Sequence, residues 1–196
     1  WMKRKAAERN CAIAGSVAVC ENGNYYNRFY FVYPDGAVQH YDKKHLFTFG
    51  GEHKRFTAGT ERVVVNFRGV RILLEVCYDL RFPVWARNLG DYDMILYVAS
   101  WPTPRVDAWS ALLRARAIEN QCYVAGVNRM GVDPACEYSG GSAIIDPYGK
   151  TIAECPWSRE SAVSADIDME ALQAFRKKFP VLDDACLLYT SDAADE

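Results

Sequence analysis

The chemistry of this chain is best sought at one cysteine. Val70 to Val76 is an apolar, partly β-branched run that leads directly into Cys77. The polar turn Tyr78-Asp79-Leu80-Arg81, then Pro83 and a short helical pattern from Val84 to Leu89, follow at once. A strand that ends on a cysteine just before a turn places the thiol at the carboxyl edge of a sheet, where α/β proteins put reacting groups. The alternative is a buried cysteine that fills core space, the commoner fate of this residue. Two other strand-like runs end in polar or aromatic pairs: Asp93 to Ser100 at Trp101-Pro102, and Gln121 to Val127 at Asn128-Arg129. In an open α/β arrangement the carboxyl ends of neighbouring strands line a single crevice.

A cysteine nucleophile needs a base for its proton and donors for the oxyanion. Of the three histidines, His40 lies in a strand-like run, whereas His45 and His53 lie between Lys43 and Phe56, a segment with no helical or strand periodicity. That segment is a long loop, and long loops in compact domains are usually functional. It allows a Cys/His dyad through His45 or His53. It also offers Lys43, a charge for an oxyanion, and Glu52, a carboxylate able to take a proton in a dry pocket. On spacing alone, Lys43 and Glu52 read more simply as solvated loop charges. A strand-end thiol beside a lysine-bearing loop is expected to favour the thiolate.

These residues need a frame. Trp1 to Arg9 reads as the back half of an amphipathic helix. Cys11 to Cys20 reads as a buried strand and Tyr25 to Tyr33 as another, which turns at Pro34-Asp35-Gly36 into its hairpin partner, Ala37 to Asp42. Arg62 to Phe67 and Val70 to Val76 form a second hairpin around Arg68-Gly69. Ser142 to Ile145 and Lys150 to Glu154 form a third around Asp146-Pro147-Tyr148-Gly149. A helix is predicted from Arg105 to about Asn120, with Val106, Trp109, Leu112, Leu113 and Ala117 on one face. Ser161 to Ile167 reads as a last strand, and Met169 to Phe179 as a last helix, stopped by Pro180. Strands dominate with helices interposed, which is the pattern of a layered α/β protein with mixed sheets.

Composition narrows the setting. The chain has 196 residues, half of them hydrophobic, and a net charge of −2, enough for one sizeable core and without the basic excess that nucleic acid would demand. No apolar run reaches membrane-spanning length, and nothing at the start resembles a signal peptide. The seven cysteines are odd in number and scattered, with no C-x-x-C pair, so neither a disulfide framework nor a zinc site is indicated. A reducing, cytoplasmic setting is the economical reading. Residues 1–186 read as one domain. Residues 187–196 lack periodicity and read as a non-native or disordered tail.

Four stretches sharpen the picture: Tyr41-Asp42-Lys43-Lys44-His45-Leu46-Phe47, Val76-Cys77-Tyr78-Asp79-Leu80-Arg81-Phe82-Pro83, Ala115-Arg116-Ala117-Ile118-Glu119-Asn120-Gln121 and Asp146-Pro147-Tyr148-Gly149. In this order they resemble successive signatures of the nitrilase (carbon–nitrogen hydrolase) superfamily, over nearly the whole chain up to about Asp184. They are most similar to its omega-amidase-like branch, which acts on terminal amides of small 2-oxo acids such as 2-oxoglutaramate. The resemblance implies a four-layer α-β-β-α sandwich with mixed sheets and a Glu-Lys-Cys triad, often joined by a second glutamate. It also implies a homodimer, and neither metal nor cofactor. It makes Cys77 the nucleophile. Lys43 becomes the catalytic lysine, as the K of K-x-H-L, in preference to Lys44. Glu52 becomes the second glutamate through its spacing to Gly59. The Tyr78 N–H, directly after the nucleophile, is then an oxyanion donor beside Lys43. Trp101 and Asn128 would line the pocket. Arg81, Arg116 and Glu119 read as structural charges that fix the helix after each strand.

One departure stands out. The family's general-base glutamate lies well before the strand that begins at Cys11, and no residue of this sequence corresponds to it; Glu8 and Glu21 are in the wrong places. The family's opening strands and helix have no counterpart either, so the expectation is a domain lacking its N-terminal part and, in this form, inactive. The rival readings are another activity of the superfamily, a nitrilase or an N-carbamoyl-amine hydrolase, and a catalytically incomplete module with a redox-sensing Cys77.

Overall fold

In the computed structural model, which describes residues 1–184, the chain opens with α1 (Met2–Arg9), β1 (Ile13–Glu21), β2 (Asn24–Val32), β3 (Val38–Asp42), β4 (Val64–Phe67), β5 (Val70–Val76) and β6 (Met94–Ala99). It continues with α2 (Val106–Glu119), β7 (Tyr123–Asn128), β8 (Met130–Val132), β9 (Glu137–Ser139), β10 (Ala143–Ile145), β11 (Thr151–Glu154) and α3 (Met169–Lys178). Cys186 and the 187–196 tail lie outside the described residues. Among the described residues the strands form an antiparallel sheet β1-β2-β3, a mixed sheet ordered β11-β10-β7-β6-β5-β4, and a ribbon β8-β9. In the mixed sheet β5, β6 and β7 are parallel neighbours.

The alternation of β5 explains the layers. Ile72, Leu74 and Val76 face the smaller sheet and pack with Phe29, Phe31 and Tyr41. Leu73 faces the other way and packs with Ile95 and with Trp109, Leu113 and Ala117 of α2. A strand buried on both faces must be apolar at nearly every position, hence the largely apolar run before Cys77. Of its two charged residues, Arg71 reaches out to Asp93, whereas Glu75 is wholly buried. The two sheets therefore stack, with α2 outside the larger one and α1 packed on β1 and β2. Helix α3 is tied to the amino ends of β6 and β7, away from Cys77, through Arg176 bonds to Asp93 and to the Gln121 carbonyl. Its N-terminus is capped by Asp168, which accepts from the Ala171 N–H at 2.8 Å.

Some expectations are corrected. Val84 to Leu89 is not a helix: Cys77–Arg81 forms a 3₁₀ turn, and a plain turn follows at 83–86. The Asn88 side chain accepts from the Gly90 and Asp91 N–H groups, a local bonding pattern that competes with helix. Ser161 to Ile167 is not a strand; it contains no buried residue, so no apolar face docks it on a sheet. Cys11 to Cys20 does form a strand, but a largely exposed one, because its small side chains bring little surface to bury and β1 pairs only with β2 among the described residues. The β8-β9 ribbon was not foreseen: three-residue strands are too short for alternation to be read.

Candidate active site

The carboxyl ends of β5, β6 and β7 open onto a cavity of about 650 Å³, lined by Cys77, Tyr78, Lys43, Glu52, Trp101 and Asn128 among others. Cys77 sits at φ 49°, in the left-handed region that a side-chain-bearing residue rarely adopts. Such strain persists only where the surroundings enforce it. Here the enforcing group is Asp79, which is fully buried. Its Oδ2 accepts from the Val76 N–H at 3.0 Å and from the Tyr41 hydroxyl at 2.8 Å. Its Oδ1 accepts from the His45 N–H at 2.8 Å and lies 2.8 Å from His45 Nδ1. The Tyr41 hydroxyl in turn accepts from the Lys44 N–H and the Trp85 indole. One carboxylate thus fastens the loop after β3 to the turn that carries the thiol.

That loop delivers Lys43, whose side chain is only 3% exposed. Its Nζ donates to Glu52 Oε2 at 2.6 Å; the Phe47 N–H donates to the same oxygen at 2.7 Å, and Asn27 Nδ2 to Oε1 at 3.3 Å. The Lys43 backbone is gripped on both sides, its N–H by the Asn27 carbonyl and its carbonyl by the Gly59 N–H. A Cβ at Gly59 would lie 2.1 Å from the Asp42 carbonyl oxygen. The spacing from Glu52 to Gly59 therefore has a mechanical meaning: only glycine lets the returning chain touch the segment that bears the lysine. Asp42 is itself held by two Arg28 bonds, at 2.7 and 2.8 Å.

Burial pushes the Cys77 thiol up from its ordinary range, and Lys43 and the Ser100 carbonyl pull it part of the way back. The expectation that the thiolate is favoured beside the lysine-bearing loop is thus overturned: Lys43 acts in that direction, but burial outweighs it. A thiol raised in this way needs a base before it can act as a nucleophile. The Tyr78 N–H belongs to the first turn of the 3₁₀ segment, where N–H groups have no partner within the helix. Of the alternatives in the loop, neither His45 nor His53 lines the cavity, and Lys44 points elsewhere, its Nζ 5.3 Å from the centre of the Trp85 ring.

Trp101 and Asn128 both line the cavity, but the Asn128 amide is spent on the backbone. It accepts from the Trp101 N–H at 2.7 Å and donates to the Trp101 and Gly140 carbonyls at 3.0 and 2.7 Å, latching the β6 end to the β7 end. Arg116 is structural as expected, bonded to Glu119 at 2.8 Å and to the Leu80 carbonyl at 2.6 Å. Arg81 is not: it is exposed on the cavity wall, its guanidinium 5.0 Å from the centre of the Trp101 ring. Arg105 also lines the cavity, over the Phe47 ring. Among the described residues neither has a carboxylate partner, whereas Arg129, on the same wall, pairs with Asp133. Sequence reasoning missed the place of Arg81 and Arg105, the two cavity arginines without a carboxylate partner among the described residues. It also missed Asp79, whose signal was an acidic residue three positions after the strand end, where a carboxylate can cap the turn.

The chain is similar to several known proteins. A family profile described as carbon-nitrogen hydrolase matches residues 1–177. The chain is 53% identical over 186 residues to omega-amidase YafV of Escherichia coli (strain K12), covering 94% of this chain and 73% of that protein. It is 41% identical over 188 residues to a 2-oxoglutaramate amidase of Bacillus subtilis, covering 94% and 72%. Among solved structures it is similar to XC1258 of Xanthomonas campestris, described as a CN-hydrolase superfamily protein with an arsenic adduct in the active site. There the TM-score is 0.92 with 46% identity, over 95% of this chain and 73% of that one.

Proposed function

Because this chain belongs to the carbon–nitrogen hydrolase family, we infer that it hydrolyses the terminal amide of a small 2-oxo acid, as omega-amidases do, through an acyl group carried on Cys77. The observation that carries this reading is the meeting, in one cavity, of a thiol at a strained left-handed turn, a buried lysine ion-paired to Glu52, and two guanidinium groups with no carboxylate partner among the described residues. The Cys77 sulfur attacks the amide carbon, and the carbonyl electron pair moves to oxygen. Lys43 Nζ and the Tyr78 N–H hold that oxyanion. As it collapses, the C–N bond breaks, the nitrogen leaves as ammonia with the proton taken from the thiol, and a thioester remains. Water then adds to the thioester carbon, and the thiol departs from the carboxylic acid.

Glu52 supports the lysine in this scheme. Its oxygens are occupied by Lys43, Phe47 and Asn27, so the carboxylate that carries the thiol proton is a further one, which the family resemblance puts N-terminal to the strand at Cys11. Arg81 and Arg105 suit a substrate that bears a carboxylate, and this sets a 2-oxo acid amide apart from a neutral nitrile. The test compares ammonia release by the protein carrying this chain from 2-oxoglutaramate, an aliphatic nitrile and an N-carbamoyl amino acid. Preference for 2-oxoglutaramate, lost in Cys77→Ala, is expected; preference for either of the others would replace this substrate assignment.

A further inference from the structure

Beneath the nucleophile turn lies a group of polar side chains that the amide chemistry does not use. Glu75 is 0% exposed, and neither of its carboxyl oxygens has a hydrogen-bond partner among the described residues. Strand register sets it beside Tyr97, whose hydroxyl is equally buried and equally unpartnered. Arg116 reaches the same region from α2. Its Nη1 is occupied by Glu119 and its Nη2 by the Leu80 carbonyl, but its buried Nε–H has no partner. Buried polar groups are nearly always bonded, because an unmet bond in the interior costs the full desolvation of the group. Three neighbours with unmet bonds are therefore a feature to explain.

Their chemistry is complementary to water: the Nε–H donates, while carboxyl and phenol can each donate and accept. Burial raises Glu75 well above the ordinary carboxylate range. Asp79 adds to the rise, and Arg62 and Arg116 oppose it. A neutral acid at this position can offer its own O–H as a donor.

We propose that Glu75, Tyr97 and Arg116 enclose an internal hydration site beneath the Cys77–Arg81 turn, and that its water makes Glu75 a positioning residue for Cys77. A buried water typically makes about three hydrogen bonds, and these three groups supply them. Glu75 stands two residues before the nucleophile on β5, and Arg116 grips the Leu80 carbonyl three residues after it. The water therefore joins the strand that enters the strained residue to the turn that leaves it. The positioning half of this proposal rests on the amidase reading; the hydration half does not.

A crystal structure of the protein that resolves ordered water tests the site directly. Density within hydrogen-bond distance of all three groups is expected, and a dry cluster or a direct Glu75–Arg116 ion pair overturns the proposal. Glu75→Gln keeps a donor and an acceptor, whereas Glu75→Leu keeps neither. Glu75→Leu is expected to lower kcat roughly ten- to a hundredfold with KM unchanged, and to slow iodoacetamide alkylation of Cys77 by a similar factor, while Glu75→Gln stays within about threefold of the parent in both. Parental alkylation in Glu75→Leu, or equal losses in the two variants, overturns the positioning role even if no amide is turned over. Should Glu75→Leu fail to fold, Tyr97→Phe is read in the same assays, and parental values in both would overturn it.

Discussion

Replacing Lys43 by methionine removes the charge from the cavity while keeping most of the stem. Loss of one oxyanion donor typically costs 10²–10³ in kcat, roughly 2.7–4 kcal/mol of transition-state stabilisation. The structure adds a separate cost to the folded state. Lys43 and Glu52 are 3% and 14% exposed, so the variant leaves a largely buried carboxylate with only the Phe47 N–H and the Asn27 amide. Breaking such a pair costs roughly 3–5 kcal/mol when burial is complete, and the partial exposure of Glu52 puts the expected loss near the lower end, about 3 kcal/mol. The double variant Lys43→Met/Glu52→Gln separates the two effects: it should recover most of the stability in urea unfolding and none of the rate of ammonia release. Lys43 also pulls the Cys77 thiol down, so its removal should shift the pH profile of Cys77 alkylation upward. Lys44→Met is the control, since Lys44 lies over the Trp85 ring and outside the cavity. Equal losses at both lysines, or a Lys43→Met enzyme with parental kcat and an unmoved alkylation profile, would refute the reasoning.

Gly59→Ala should destabilise the fold by about 1–3 kcal/mol and lower kcat, because its Cβ meets the Asp42 carbonyl oxygen at 2.1 Å and the lysine segment must shift; thermal unfolding and turnover check both. Arg81→Ala and Arg105→Ala should each raise KM for 2-oxoglutaramate by roughly tenfold, the value of one charged hydrogen bond, and leave KM for an uncharged short-chain amide unchanged. Burial acts to raise Asp93, but its bonds to Arg71 and Arg176 prevail and hold it below the ordinary carboxylate range. Its contribution to stability is therefore full above the unfolded value, about 3.9, and lost as pH falls through the lower folded value. Urea midpoints of Asp93→Asn should accordingly lie below those of the parent at neutral pH and converge with them in acid.

What could be read in the sequence follows the physics of each signal. The mixed sheet was legible because strands buried on both faces must be nearly all apolar, as β5 is, and α2 because Trp109, Leu113 and Ala117 repeat at helical spacing on its buried face. Cys77 was legible as the end of such a strand. Lys43 and Glu52 were not, because nothing in their spacing tells a buried ion pair from two solvated charges. The family signatures singled them out, and the cavity then gave them a shared location. Arg81 misled for the opposite reason: an arginine in a turn after a strand reads as a structural charge, and only the Trp101 ring and the cavity wall give it another task. Ser161 to Ile167 shows that a few apolar residues do not make a strand unless an apolar face holds the segment to a sheet.

The central claim is that the substrate's acyl group passes through the Cys77 sulfur. Acid-quenching the protein during turnover of 2-oxoglutaramate, then digesting it and reading the Cys77 peptide by mass spectrometry, tests this most directly. The expected result is a thioester adduct confined to Cys77, absent from Cys77→Ala and discharged by hydroxylamine. Sustained ammonia release with no adduct on Cys77, or undiminished turnover by Cys77→Ala, would contradict it.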